Sequence, residues 1–284
     1  MEINAKMVME LRDKTGVGMM DCKKALQETA GDMEQAVDWL RKRGLSKAAK
    51  RADRAASNGY LGTKLSAGAD KFTCVELNCE SDFVAKTEGF IKLAQELAAH
   101  VDVTGTLDVE AVKNEKMTGN PAVTINDLLG EMLAKLGENI RIGRILQWQA
   151  APGNKLGLYV HTGATAIGLS EMTGVAGKDV FVLGKNLGMQ IVASKPQYLN
   201  IADVPANVLE HEKEIYREEA KAAGKPEKIL DKIAEGKLAK FYQDNCLIKQ
   251  LYVRDTEGKQ TVEDLLKAEG VGLVRFARLM VGQV

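Results

Sequence analysis

The sequence repeats one order of elements, two strands followed by an amphipathic helix, and this repeat constrains the fold more than any other feature. Residues 60–65 and 72–79 predict a hairpin through their alternating apolar side chains, and residues 88–101 predict the helix that follows. Residues 157–193 predict the same order again, with little residue identity. Strands that are neighbours in sequence favour antiparallel pairing, so we predict an α+β protein with a two-subdomain core of antiparallel sheets with helices.

Composition and spacing divide the chain further. Residues 1–44 predict three short helices around a small core, a UBA-like (ubiquitin-associated) bundle. Residues 45–58 carry four Lys or Arg against one acid and predict a basic linker, either a solvated helix or a contact to RNA or to an acidic protein face. The core N-subdomain then covers residues 59–140, with further helices predicted over residues 108–117 and 125–136, and the core C-subdomain covers residues 141–284. Within the latter, two charged helices with thin apolar stripes in residues 203–244 predict an inserted antiparallel coiled-coil hairpin.

Charge and cysteine content limit the class of protein. Lys plus Arg and Asp plus Glu both number 39, so the formal net charge is zero, whereas a nucleic-acid-binding domain is usually basic. The four cysteines form no CxxC pair and there are only three histidines, so we predict no metal site and no cofactor. We predict a cytoplasmic protein, because its thiols are free and its N-terminal segment is charged. We predict no membrane segment, because no apolar run reaches about 18 residues, and the zero net charge predicts no direct nucleic-acid contact.

The stretch ELNCESDFVAK, residues 76–86, changes character part-way. Its first residues alternate apolar and polar side chains as a half-buried strand does. Ser81 and Asp82 then break the alternation with turn-forming side chains, and Phe83 follows at the edge of a polar loop. Two interpretations are open: the acid and the aromatic ring are presented rigidly to another molecule, or Phe83 begins the next helix and folds back into the core.

Two adjacent methionines mark the N-terminal module. Met19 and Met20 stand in the predicted turn between the first two helices, just before Asp21, the expected cap of the second. Methionine side chains are flexible and make adaptable apolar contacts, so we interpret the pair as a contact surface. The alternative is that one of the two packs in the module's core. We expect the third helix to end at Gly44.

Two multi-residue motifs in this chain resemble the signatures of one family. Residues 76–86 form the first motif, and Leu11-Arg12, Thr15-Gly16, Gly18 and residues 21–26 form the other. They resemble the two signatures of the elongation factor Ts family, the guanine-nucleotide exchange factors of bacterial translation, in the family's order and at about its spacing. The family usually has Thr at the position of Ser81. The resemblance extends over nearly the whole chain.

This resemblance implies a partner, the GTPase elongation factor Tu, and a set of contacts with it. It implies that the segment around the Asp82–Phe83 pair displaces the partner's magnesium ion so that GDP leaves and GTP can bind. It leaves open a homodimer or a 2:2 complex. Near His161, residues 159–168 depart from the family pattern, and a lone histidine is also common as a structural residue. The implied residues are Ser81, Asp82, Phe83 and Val84 for magnesium displacement, and Leu11, Arg12, Thr15, Met19, Met20 and His161 for partner binding.

Other functional classes have weaker support in the sequence. An enzyme would be expected to carry a recognisable motif, but GxxxxGK[ST], GxSxG and HExxH do not occur. We therefore predict no catalytic residues. The UBA-like module leaves one alternative function, a ubiquitin-type adaptor without exchange activity, although a fold does not by itself imply a function.

Overall fold

The computed structural model describes residues 3–51 and 54–283 of the 284-residue chain. Between residues 44 and 51 it describes the backbone alone, so the side chains of residues 45–53 in the predicted basic linker lie outside the described part. Three N-terminal helices precede antiparallel sheets in these residues, which confirms the α+β prediction at this level. The UBA-like and coiled-coil descriptions and the division into domains stay predictions.

The N-terminal helices enclose a small apolar core, to which the first two helices contribute Val8, Leu11, Cys22, Ala25 and Leu26. The side chain of Asn4 caps the first helix by accepting a hydrogen bond from the Met7 amide at 3.0 Å. Gly16 ends that helix in the left-handed region, at φ 69°. The helices are α1 (Ala5–Thr15), α2 (Met19–Glu28) and α3 (Met33–Arg51).

Two predicted helix boundaries in this module are wrong. α2 begins at Met19 rather than after Asp21, because Gly18 is its N-cap, and the two methionines therefore form its first turn. α3 continues past Gly44 to Arg51. The residues after Gly44 are rich in Ala and Lys, good helix formers, and a single glycine inside a helix costs only about 1 kcal/mol.

The first half of the core consists of a hairpin, helices and a returning strand. The hairpin, the long helix after it and the helix of residues 125–136 confirm the predictions closely. The helix predicted over residues 108–117 is shorter, and a small hairpin that we did not predict follows it, because its strands are too short to show alternation. The elements are β1 (Asn58–Leu65), β2 (Lys71–Cys79), α4 (Asp82–Ala85), α5 (Glu88–Thr104), α6 (Val109–Asn114), β3 (Lys116–Met117), β4 (Asn120–Thr124), α7 (Ile125–Leu136) and β5 (Arg141–Gln149).

The second half repeats this order, but different helices connect its long helix to its last strand. Its hairpin and long helix confirm the predicted repeat, and a pair of charged helices lies where the inserted hairpin was expected. The two helices of that pair contact each other, and Arg217 pairs with Asp231 across them. The elements are β6 (Lys155–Val160), β7 (Ala166–Thr173), α8 (Val180–Ser194), α9 (Ala206–Ala222), α10 (Leu230–Asn245), α11 (Val262–Glu269) and β8 (Gly272–Met280).

The two halves have the same sheet topology. In the first, β2 lies between β1 and β5, and in the second, β7 lies between β6 and β8, all pairs being antiparallel. The boundary predicted at residue 141 would place β5 in the C-subdomain, but its pairing with β2 puts this strand in the first sheet. One apolar cluster contains side chains from both sheets, so the sheets pack face to face, with α5 on the outer side of one and α8 on the outer side of the other.

Glycines permit the close approach of α8 to its sheet. A methyl group built on Gly188 would lie 2.5 Å from the Tyr159 Cβ and 2.8 Å from the Gly168 oxygen. A methyl group on Gly184 would lie 2.3 Å from the Gly157 Cα. Both distances are well inside van der Waals contact, so any larger side chain at these positions would push the helix off the sheet.

A reciprocal pair of buried carboxylates joins the halves. In the first half, Glu76 of β2 pairs with Arg144 of β5 at 2.7 Å, and its other oxygen accepts from the Gly282 amide, just after β8, at 2.7 Å. In the second half, Glu171 of β7 pairs with Arg275 of β8 at 2.7 Å. Its other oxygen accepts from the amide of Ala151, just after β5, at 2.9 Å, and from the Asn154 side chain at 2.8 Å. The buried carboxylate of each half thus accepts a backbone hydrogen bond from the residues that follow the third strand of the other half.

The N-terminal module packs against the core through α3 and α7. Ala134 of α7 joins the apolar core of the module, and Arg41 of α3 forms an ion pair with Asp127 near the start of α7. α7 begins with a capping box, in which the Thr124 hydroxyl accepts from the Asp127 amide at 3.1 Å while the Asp127 carboxylate accepts from the Thr124 amide at 2.9 Å. This helix therefore carries the module on one side and leads directly into the region described next.

Candidate functional site

The candidate site is built on the turn that connects β2 to α5, residues 80–85, which we call the exposed turn. Ser81 is the N-cap of α4: its backbone is extended, at φ −118° and ψ 155°, and its hydroxyl accepts from the Val84 amide at 3.3 Å. α4 completes only one helical turn, so its side chains point in different directions. Val84 is buried in the apolar cluster under α5, which leaves Asp82 and Phe83 facing solvent.

Phe83 is the most exposed large apolar side chain of the described residues, at 80% exposure. Phe72 and Phe90, the nearest phenylalanines before and after it in the sequence, are fully buried. The interpretation that folds Phe83 back into the core is therefore wrong. Phe83 does lie in a helix, but Val84 takes the inward position of that single turn. An aromatic ring held in water is unfavourable for the isolated chain, which is typical of a residue that contacts another molecule.

Asp82 lies beside Phe83 as an exposed, ionised carboxylate. The Lys86 ammonium donates to its Oδ2 at 2.6 Å, one helical turn on. This hydrogen bond and ion pair from Lys86 hold the pKa of Asp82 below its ordinary value. The acid is thus charged at neutral pH, and its ion-pair partner Lys86 is exposed and can be displaced at little cost.

Sequence reasoning missed the side chain that holds this turn, Glu138, which follows α7. Its Oε2 accepts from the amides of Glu80, at 3.1 Å, and Ser81, at 2.9 Å, and its Oε1 accepts from the Ser81 hydroxyl. In return, the Glu80 carboxylate accepts from the Asn139 amide at 2.7 Å. Glu138 and Ser81 are 57 residues apart, and a Gly-Glu-Asn sequence read alone predicts only a turn.

His161 immediately precedes a segment that lines a cleft beside the exposed turn. It is an exposed residue just after β6, and its Nδ1 lies 2.9 Å from the Tyr159 hydroxyl. The segment that follows His161 forms one wall of the cleft with Thr162 and Thr165, and Asp82 contributes to the other wall. The structure therefore brings Asp82 and the segment after His161 to one cleft, with one wall from each half, but neither His161 itself nor Phe83 is among the residues that line it.

The predicted contact residues of the N-terminal module fall into two groups. Arg12, Met19 and Met20 are exposed, with Met20 at 77%, so the expectation that one methionine packs in the core is wrong. Leu11 is fully buried between the helices and cannot contact a partner while the module is folded, which corrects its assignment as a contact. Thr15 is half-buried, and its hydroxyl donates to the Leu11 carbonyl at 2.7 Å, so it supports the surface from below.

Comparison with known proteins places these features in a family. The family model described as elongation factor TS matches residues 80–283, starting at the exposed turn. This chain belongs to the elongation factor Ts family. Elongation factor Ts of Nitratidesulfovibrio vulgaris (strain DP4) is 42% identical over 100% of this chain and 97% of the relative. The proteins of the same name from Trichlorobacter lovleyi and Chlorobium phaeobacteroides (strain BS1) are 40% and 43% identical, over 100% and 93% of this chain and 94% and 91% of theirs.

Membership makes this protein a translation elongation factor, which confirms the resemblance stated from its two motifs. Within the described residues, no helix combines the length and the apolar character that a membrane crossing needs. The same residues contain no group of three or more His, Cys, Asp or Glu side chains placed to hold a metal ion. The candidate site itself consists of an exposed aromatic ring and a charged acid, with a cleft beside the acid.

Proposed function

We propose that this member of the elongation factor Ts family binds elongation factor Tu in its GDP form, disturbs the magnesium and phosphate site of that GTPase, and so promotes release of GDP before GTP binds. The observation that carries the proposal is the exposed ring of Phe83, held beside the ionised Asp82 on a single helical turn. No bond is made or broken by this chain in the proposed role. A translation factor acts where ribosomes work, which supports the cytoplasm as its location.

The proposed mechanism is a difference in binding between two states of the partner. Any chain that weakens GDP binding must itself be weakened by GDP, since coupling between two ligands is reciprocal, and typical coupling is about 1–3 kcal/mol. Burying one phenylalanine side chain contributes about 1.5–3 kcal/mol. Insertion of Phe83 into a pocket that opens only when nucleotide and metal are loosened would supply coupling of this size. Asp82 would add a negative charge that competes for the magnesium ion or its ligands.

The four residues implied by the resemblance then have two kinds of role. Asp82 and Phe83 face solvent and would make the contacts. Ser81 caps α4 and Val84 is buried beneath it, so these two would position the contacting pair. This division predicts that changes at Ser81 or Val84 act through the shape of the exposed turn.

The N-terminal module would supply affinity through a separate surface. Arg12, Met19 and Met20 are exposed on it, and methionine side chains adapt to a partner's surface. Thr15 and the buried Leu11 would support that surface. His161, within hydrogen-bond distance of the Tyr159 hydroxyl and exposed, would contact the partner from the second half. We retain a homodimer or a 2:2 complex as the stoichiometries to be tested.

Release of labelled GDP from elongation factor Tu tests the mechanism. We expect Phe83→Ala to fold normally and to slow release by about 10- to 150-fold, which corresponds to the 1.5–3 kcal/mol of one buried ring. Phe181→Ala is a matched control, because Phe181 is also exposed, at 53%, but lies in the first turn of α8, outside the exposed turn. Equal release rates with Phe83→Ala and with the unmodified chain would contradict the mechanism.

Equilibrium binding tests the docking surface. We expect Met20→Ser to raise the Kd for elongation factor Tu while the release rate at saturating concentrations stays the same, because Met20 would contribute contact area and take no part in loosening the nucleotide. An unchanged Kd would remove the methionine pair from the interface. Light scattering of the complex would give its stoichiometry.

A further inference from the structure

We propose that Glu138 is a positioning residue, which holds the exposed turn in the orientation that directs Phe83 and Asp82 away from the core. The inference rests on the proposed function for its consequence, but its structural content can be tested without a partner. Glu138 lies outside both motifs that carry the family resemblance. It is brought to the turn solely by the path of the chain from α7 into β5.

One carboxylate accepts three hydrogen bonds from two consecutive residues of the turn. Oε2 lies 3.1 Å from the Glu80 amide and 2.9 Å from the Ser81 amide, and Oε1 accepts from the Ser81 hydroxyl. Hydrogen bonds to an ionised carboxylate are shorter and stronger than neutral ones. Two amides directed at one oxygen also fix the direction of the chain just before α4. Since a helix of one turn cannot stabilise itself, its orientation depends on this anchor.

Glu138 is itself held in place from two sides. Gly137, at φ 75°, ends α7 in the left-handed region and turns the chain toward the exposed turn. The amide of Asn139 donates to the Glu80 carboxylate at 2.7 Å, and the Asn139 side chain donates to the Arg54 carbonyl at 2.9 Å. The anchor is therefore connected to a rigid helix on one side and to the first residues of the core on the other.

The connection extends to the N-terminal module through α7. Ala134, one turn before Glu138, packs in the apolar core of the module, and the side chain of Lys135 lies 3.5 Å from the position of a methyl group on Gly16. The same helix end thus contacts the module and precedes the anchor of the exposed turn. A partner that contacts both surfaces would meet them at a spacing set by this one helix end.

Cys79 supplies a readout of the turn that needs no partner. This thiol is fully buried at the end of β2, and its sulfur lies 3.1 Å from the Ser81 carbonyl, so it is reached only when the turn opens. Cys74 is buried on the opposite face of the same strand, among side chains from both sheets. Burial is the main cause that raises the pKa of both thiols to about 12, and the Glu138 charge also raises the pKa of Cys79. A faster labelling of Cys79 therefore reports opening of the turn when Glu138→Asp, which keeps the charge, shows it as well.

The experiment compares Glu138→Gln with the unmodified chain in alkylation by iodoacetamide, resolved for each cysteine by mass spectrometry. Gln keeps one acceptor oxygen and presents an amide donor where the second oxygen was. We expect the labelling rate of Cys79 to rise by about tenfold or more, which corresponds to the loss of one charge-assisted hydrogen bond. The labelling rate of Cys74 should stay unchanged. Glu138→Asp should act likewise, because it keeps the charge and withdraws the carboxylate by one methylene. Glu88→Gln, which removes an exposed charge just after the turn, is the matched control.

The second arm measures GDP release from elongation factor Tu at saturating concentrations of each variant. We expect Glu138→Gln to slow release by about tenfold or more, toward the rate with Phe83→Ala, and Glu88→Gln to have no effect. Equal acceleration of labelling at Cys79 and Cys74 would overturn the proposal, since it would show loss of global stability alone. Unchanged labelling of Cys79, or a loosened turn with normal GDP release, would also overturn it. If the unmodified chain fails to accelerate release, the proposed function fails, while the labelling arm still decides whether Glu138 anchors the turn.

Discussion

Glu171→Gln tests whether the buried carboxylates hold the two halves together. The Glu171 side chain is 3% exposed and accepts from the Arg275 guanidinium, the Ala151 amide and the Asn154 side chain, the nearest at 2.7 Å. The Arg275 guanidinium also lies 4.0 Å from the centre of the Trp148 ring of β5. The substitution keeps the size of the side chain and one acceptor, but it places an amide donor against the guanidinium donor.

The expected loss follows from these contacts. A hydrogen bond to a charged group contributes about 1.5–3 kcal/mol, and a buried group left with a mismatched partner costs about as much again. The Arg275 side chain is 43% exposed, so water replaces part of what it loses. We therefore expect the free energy of unfolding to fall by about 2 kcal/mol. That is a substantial share of the roughly 5–15 kcal/mol that stabilises a typical domain.

Urea unfolding followed by circular dichroism measures this loss, because the midpoint falls while the slope stays the same if only stability changes. Glu257→Gln is the matched control, since its ion pair with Lys259 is exposed and exposed pairs contribute about 0.2–1 kcal/mol. A double-mutant cycle with Arg275→Met isolates the pair, as Met can still pack on Trp148. A loss from Glu171→Gln no larger than that of the control, or no coupling in the cycle, would refute the reasoning.

Two other outcomes are expected. Gly188→Ala should lower the free energy of unfolding by about 1–3 kcal/mol, because its methyl group would lie 2.5 Å from Tyr159. Gly236→Ala in α10 is the control: this position has open space around it, so the change should be neutral or stabilising. Urea midpoints compare the two variants, and equal midpoints would contradict the close packing of α8. Acid should destabilise the fold through Glu171: burial raises its pKa, but the hydrogen bonds from Asn154, Ala151 and Arg275 outweigh burial and hold the pKa below the ordinary 4.5. Its contribution is thus complete above pH 4.5 and lost as the pH falls through the depressed pKa, so unfolding midpoints measured from pH 7 to pH 3 should fall less steeply in Glu171→Gln.

Much of the fold is determined by local patterns in the sequence. The bounds of α7 are those predicted, because Thr124 and Asp127 form a capping box at its start and Gly137 ends it. The repeated order of strands and helix is also local, since alternation and the helical period are read from neighbouring residues. The position of the candidate site in the chain was predicted for the same reason: Ser81 interrupts an alternating strand.

The orientation of the site was decided by tertiary structure. A helix of one turn has no periodicity to read, so the sequence left open whether Phe83 faces the core or the solvent, and the burial of Val84 under α5 settled it. Glu76 and Glu171 occupy polar positions of alternating strands, which read equally well as solvent-facing, yet the sheets pack on each other and bury both carboxylates. Sequence patterns record the period of each helix and strand. Residues as distant in sequence as Glu138 and Ser81 come into contact only when these elements pack together. Such contacts determine which side chains another protein can reach.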